Sequence, residues 1–212
     1  MRMEVPIAEA ALRRYTFEEY IALDEVSEEK HEYLDGRILL MAEDRNPELE
    51  ESSSRHSAMQ SRIAMLLGQQ LPGGARLLYT AGPRVRVLAT GLVTYPDITV
   101  ICGPLLRDPG STNAATNPTV LVEVLSPRTE RYDLGEKIVH YQQIPSLKEY
   151  VLVFMRLQKV EVFHSNGDGS WRHKSTGPGG GARIDAIGAT LTVDELYEGM
   201  PDDDGIDGRG PA

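Results

Sequence analysis

A mixed α/β fold, a β-sheet flanked by helices, is what this sequence predicts, and three features predict it. Two segments, TYPDITVIC (94–102) and TVLVEVLS (119–126), are nearly continuous runs of β-branched and aliphatic residues. Central strands covered on both faces read this way. The second run is followed by the amphipathic pattern YDLGEKIVHYQQI and then by another apolar run, EYVLVFM. Strand, crossover helix and strand make a βαβ unit, which puts two parallel strands in one sheet. Helical spacing also governs RHSAMQSRIAMLLGQQL, where Met59, Ile63, Leu66 and Leu67 form one stripe.

The elements follow in order. Thr16 precedes FEEYIALDE with Glu19 three residues on, a capping-box pattern that opens a helix. SEEKHEYLD predicts a second short helix, capped by Ser27 and stopped at Gly36, with Asp35-Gly36 as a turn. RILLMA reads as a strand, AEDRNPELEESSS (42–54) as a long acidic loop or short irregular helix, and the helix from Arg55 ends at Pro72-Gly73-Gly74. ARLLYT and PRVRVLA are candidate strands, and GPLLRDPGSTNAATNP (103–118) reads as irregular. Beyond EYVLVFM come the strand KVEVFH, a turn at SNGDGS, an edge strand WRHKST, a flexible turn at TGPGGGAR and a final short helix at VDELYEGM.

Length and composition bound the function. The 212 residues, 41% hydrophobic and 25% charged, suit one globular domain, expected over 16–199, with an N-terminal arm (1–15) and an acidic tail (200–212). No apolar run approaches the ~20 residues of a membrane span, and the first residues lack the apolar core of a secretory leader. Cys102, alone, cannot form an internal disulfide; it is expected to be buried, and a reducing cytoplasm is the expected location. A net charge of −10 disfavours a general basic coat for nucleic acid but leaves room for a local basic groove.

Two charges interrupt the apolar runs. Asp97 lies in TYPDITVIC and Glu123 in TVLVEVLS. Moving a carboxylate from water into a central strand costs roughly several kcal/mol unless a cation or donors compensate. On neighbouring strands about 4.8 Å apart, both can reach one ion. Oxygen ligands without a Cys or His cluster select Mg²⁺, with Mn²⁺ as substitute, and the Val124 carbonyl is the natural third ligand. Lys137, on the crossover helix, can fold back over the Glu123 strand and orient water or stabilise negative charge at a phosphate. Simpler readings stand beside these: Asp97 capping a turn, Glu123 paired with Arg84 or Arg86, and Lys137 paired with Asp133 on the helix surface. Together they require several unrelated coincidences.

With these residues in view, the chain resembles the Uma2-type (DUF820) restriction endonuclease-like proteins of the PD-(D/E)xK nuclease superfamily. The matching pieces are TFEEYIAL, EKHEYLDGRI, RHS, YPDITV, NPTVLVEVLSP, YDLGEKIVHY and IPSLKEYVLV, in family order, with KVEVFH and VDELYEG also fitting, over roughly Thr16 to Gly199. The resemblance implies a restriction-endonuclease-like core in which Asp97 and Glu123 bind the metal. The usual lysine position of the motif is Leu125 here, and the resemblance assigns that role to Lys137. It also marks Glu32 as an acidic position on an early helix and His56 as a recurrent one. Outside the resemblance, Glu32 reads as an exposed helix carboxylate and His56 as a helix N-terminal side chain. Tyr141 reads as core. The activity implied is a Mg²⁺-dependent endonuclease acting on DNA, with Arg84, Arg86, Arg128 and Arg131 as candidate phosphate contacts and a homodimer as one arrangement for cutting both strands. The competing expectation is a binding or assembly protein that keeps the fold without catalysis.

Overall fold

The structure is a computed structural model that describes residues 13–41, 50–71, 76–80, 82–126 and 129–200. Most of the N-terminal arm, the acidic stretch 42–49, the Pro72-Gly73-Gly74 stop, Arg128 and the tail from Pro201 lie outside the described residues.

Helix α1 (Phe17–Asp24) begins with the capping box, Thr16 and Glu19 each bonding the other's backbone N–H. Strands β1 (His31–Leu34) and β2 (Arg37–Leu40) follow as a hairpin, so the helix expected over SEEKHEYLD is corrected to a strand. The reason is local. Asp35 at φ 51 and Gly36 at φ 77 form a left-handed two-residue turn that sets Leu34 opposite Arg37, and Asp-Gly is the sequence such hairpins favour. Helix α2 (Glu50–Gln70) starts earlier than the stretch from Arg55.

Seven strands come next: β3 (Arg76–Tyr79), β4 (Arg84–Arg86), β5 (Val93–Thr94), β6 (Ile98–Cys102), β7 (Arg107–Asp108), β8 (Ser111–Ala115) and β9 (Val120–Leu125). The segment expected to be irregular from Gly103 to Pro118 therefore contains β7 and β8, held by pairing of β8 with β4 and with β7. Cys102 is free and half-buried rather than buried. Helix α3 joins Glu130–Tyr132, a π-helical turn Asp133–Lys137 and Ile138–Tyr141. Strands β10 (Glu149–Phe154), β11 (Val160–Ser165), β12 (Trp171–Thr176), β13 (Gly181–Ile184) and β14 (Ala189–Thr192) lead to helix α4 (Val193–Tyr197). The β13–β14 hairpin begins inside the segment expected to be a flexible turn.

The α/β class holds, with two mixed six-stranded sheets in place of one. The larger elements build the order β12-β11-β10-β9-β6-β3, and short strands build β2-β1-β5-β4-β8-β7. Strands β9 and β10 are parallel across α3, as the βαβ reading requires.

Alternation along β9 and β10 sorts the core. Val120, Val122, Val124, Val151 and Val153 face α2, where Met59, Ile63, Leu66 and Leu67 meet them. Leu121, Leu125, Tyr150, Leu152 and Phe154 face the other way, against Ile138 and Tyr141 of α3, Val85 of β4, and Val87 and Leu92 in the connection from β4 to β5. Each fully buried aliphatic side chain contributes about 1.5–3 kcal/mol. Glu123 falls between Leu121 and Leu125, so its carboxylate enters the α3 side of this core.

Candidate active site

The site starts where β9 passes the entry to β6. Asp97 stands one residue before β6, not inside it, and its side chain remains partly open. The Val124 N–H donates to Asp97 Oδ2 at 2.7 Å, and the Asp97 N–H donates to Glu123 Oε2 at 3.3 Å. The two carboxylates thus meet across the main chain of their own strands. On the β10 side, the Leu125 carbonyl accepts from Met155 N–H at 3.2 Å. Alternation therefore turns the N–H and C=O of Val124 to the Asp97 side.

Helix α2 holds Asp97 from above. His56 Nε2 is 3.1 Å from Asp97 Oδ2. Gln60, one helical turn later, donates to the Asp97 carbonyl at 2.9 Å, to Asp97 Oδ1 at 3.3 Å and to the Thr80 carbonyl at 3.0 Å. Burial opposes protonation of His56, but the hydrogen bond and charge of Asp97 outweigh it and raise the imidazole above its ordinary value.

Helix α3 supplies the other half. Glu123 Oε1 receives Lys137 Nζ at 2.9 Å and the Tyr141 hydroxyl at 2.9 Å. Lys137 also contacts Asp133 Oδ1 at 3.1 Å and Glu32 Oε1 at 3.4 Å. Glu32, on β1, accepts from the Thr94 hydroxyl of β5. It lies on a strand and is buried, which corrects both the early-helix placement and the exposed-carboxylate reading. The simpler reading of Lys137 is half met: Asp133 is its partner, but the pair is buried and shared with Glu123.

Electrostatics separates the roles. Burial pushes the Glu123 carboxyl up to about 8, with Lys137 pulling the other way and Asp133 and Asp97 adding to the rise. Burial likewise raises Asp133 against the pull of Lys137. Burial works to deprotonate Lys137, but Glu123, Asp133 and Glu32 overcome it and hold the amine well above its ordinary value. Three carboxylates thus surround the Lys137 ammonium.

The catalytic and metal-ligand candidates from the sequence converge: Glu32 on Lys137, Lys137 on Glu123, Glu123 and Val124 on Asp97, and Asp97 on His56. Gln60 and Tyr132 were missed, Asp133 entered only as a partner of Lys137, and Tyr141 was read as core. The arginines do not converge. Arg84 is buried and donates to Asp24 at 2.6 Å and Tyr95 at 2.7 Å. Arg86 pairs with Asp108 at 2.8 Å and stacks 3.5 Å from the Phe17 ring. Neither offers a free cation to a phosphate, because each compensates a buried aspartate, Asp24 at the end of α1 for Arg84 and Asp108 of β7 for Arg86. Arg131 remains exposed.

Similarity to other proteins identifies the family and the fold. The family described as "Uma2: Putative restriction endonuclease" matches residues 17–194. An uncharacterized protein of Synechocystis sp. is 34% identical over 183 residues, 86% of this chain and 91% of its own length. A second uncharacterized Synechocystis protein is 27% identical over 162 residues, 76% of this chain and 87% of its own. The crystal structure of a putative nuclease belonging to DUF820, from Anabaena variabilis, shares the fold with a TM-score of 0.66 at 19% identity, covering 86% of this chain and 97% of that one. With the match spanning the segments from α1 to α4 that carry Glu32, His56, Asp97, Glu123 and Lys137, the chain belongs to the Uma2 family.

Proposed function

We propose that this protein is a Mg²⁺-dependent endonuclease that hydrolyses DNA phosphodiester bonds, with Mn²⁺ able to replace Mg²⁺. The observation that carries this reading is the convergence of Asp97 and Glu123 at the Val124 backbone. The donor set fits a hard divalent cation. Among the described residues Glu123 Oε2 has only the long 3.3 Å bond from the Asp97 N–H, and three acidic side chains, Glu32, Glu123 and Asp133, share the single ammonium of Lys137. Asp97, Glu123 and the Val124 carbonyl would hold the cation, which would supply Lewis acidity at the scissile phosphate and activate water.

This chain's residues do the rest. Lys137, fixed as an ammonium, sets a positive charge beside Glu123 where negative charge grows on the phosphate. Tyr141 fixes the rotamer of Glu123 through Oε1, leaving Oε2 toward Asp97. His56 and Gln60 orient Asp97 as hydrogen-bonded outer partners orient metal ligands elsewhere. Glu32 and Asp133 anchor Lys137.

The test is cleavage of supercoiled plasmid and branched DNA by wild type and Asp97→Asn, in Mg²⁺, Mn²⁺ or EDTA. Cutting by wild type alone, abolished by EDTA, supports the proposal. Cutting that survives Asp97→Asn, or none under any condition, overturns it. The internal pairing of Arg84 and Arg86 favours a second reading, a non-catalytic binding or assembly protein that keeps the nuclease fold; a protein that takes up Mn²⁺ in calorimetry only through Asp97 and Glu123 argues against that reading.

A further inference from the structure

A cavity of about 240 Å³ opens beside the carboxylate pair and shares Lys137 with it. One side comes from the β1–β2 hairpin. Glu32 and Leu39 are cross-strand partners, so both project to the same face and both line the cavity. The other side is the start of α3, with Tyr132, Asp133 and Lys137. The walls are apolar, from Leu39 to Met41 and the Tyr132 ring, and the floor is polar. Leu39 is 47% exposed, so it is not there for the core. The Tyr132 hydroxyl is buried and has no hydrogen-bond partner among the described residues.

These features specify a ligand shape. The volume is below the ~300–1,000 Å³ of sites for drug-sized molecules, so it suits one ring system. Apolar faces call for a flat apolar surface, and the Tyr132 hydroxyl, Glu32 and Asp133 call for a polar edge. A nucleobase has both, and it exposes them only when unpaired. The surroundings agree. Arg84 and Arg86 are paired internally, so these two candidates for following a duplex backbone are already engaged.

We infer that this cavity receives an unpaired nucleobase of the DNA strand being cut, stacked against Tyr132 and Leu39, and that the preferred substrate is single-stranded or locally unpaired DNA. The inference rests on the nuclease reading of the neighbouring carboxylates. Lys137 lies both in the cavity floor and 2.9 Å from Glu123, so a base seated there places its own nucleotide's phosphate group next to the catalytic residues.

The experiment is fluorescence anisotropy with a labelled short single-stranded DNA and the same strand annealed to its complement, in Ca²⁺ in place of Mg²⁺. Wild type, Tyr132→Phe, Tyr132→Ala and Leu39→Glu are compared, each shown folded by circular dichroism. The single strand is expected to bind more tightly than the duplex. Tyr132→Ala should lose about one to two orders of magnitude in affinity for the single strand, the usual weight of one stacked base, and Tyr132→Phe, which keeps the ring and loses only the hydroxyl, should lose clearly less. Leu39→Glu, at an exposed position, should lose it without any question of folding. Equal affinity for both DNAs, no binding, or affinity unmoved by Tyr132→Ala and Leu39→Glu overturns the inference. Plasmid cleavage is scored separately: a protein that cuts through Asp97 but prefers duplex loses only the cavity assignment, whereas one that holds single strands through Tyr132 and never cuts loses only the nuclease reading.

Discussion

The Val124 backbone N–H lies 2.7 Å from Oδ2 of Asp97, so the strand that carries one metal-ligand candidate grips the other by its main chain. An amide oxygen can accept that same bond. Asp97→Asn should therefore fold, with a metal-free melting temperature within a few degrees of wild type, while losing cation affinity. Thermal melts with and without Mn²⁺ check this: the ligand-induced rise expected of wild type is absent in the variant.

Lys137→Met should damage the fold itself. Removing the ammonium leaves Glu32, Glu123 and Asp133 buried around an apolar chain. Breaking a buried ionic cluster in this way costs about 3–5 kcal/mol. Urea unfolding of the metal-free protein should show a midpoint lowered accordingly.

Tyr141→Phe removes one donor from Glu123 and nothing else of size. The loss should be about 1–3 kcal/mol in urea unfolding, the cost of leaving a buried acceptor short of a partner. Because Tyr141 holds the rotamer, Mn²⁺ affinity measured by calorimetry should fall by about 10–100-fold. Unchanged affinity would make Tyr141 a core residue after all.

Acid sensitivity should be traceable to Asp24. Burial opposes its ionisation, but hydrogen bonds from Tyr95 and Arg84 and the charge of Arg84 win, so the carboxyl sits below its ordinary value. Its stabilising contribution is complete above the unfolded value near 3.9 and disappears as pH falls through the lower folded value. Urea midpoints at pH 7 and pH 3 should differ less for Asp24→Asn than for wild type. At pH 7 the variant should be the weaker protein, since Arg84 is left buried without its counter-ion.

The sheet of long strands could be read from the sequence because its central strands β9 and β10 are long and buried on both faces and β6 beside them is nearly so. Of the second sheet, only β2 within RILLMA and β4 within PRVRVLA could be. Its strands run from two to five residues, and several exist only through distant pairing, such as β8 beside β4. SEEKHEYLD misled because its charges fall at helical spacing, whereas the Asp35-Gly36 turn after it carried the stronger signal. In the site, Asp97 and Glu123 stood out because charge is rare inside apolar runs. Gln60 and Asp133 sit on helices, where a polar residue every few positions is ordinary, so nothing in the string marks them. Arg84 and Arg86 showed the reverse error: a cation visible in a strand says nothing about which aspartate, Asp24 or Asp108, already holds it.

The π-helical turn from Asp133 to Lys137 acts as a phase adjuster. A π turn accommodates one residue more than α geometry allows, and each residue of an α-helix advances the direction of its side chain by about 100°. Ile138 and Tyr141 are fixed against the sheet by the core, so that extra residue sets the angle at which everything before them leaves the helix. Shortening the turn by one residue would keep the apolar footing of the helix and rotate Tyr132 and Asp133 away from Glu32. The buried charges of Asp133 and Lys137 and the core packing of Ile138 and Tyr141 thus ride on one helix but keep separate bearings, and the chain can retune one without rebuilding the other.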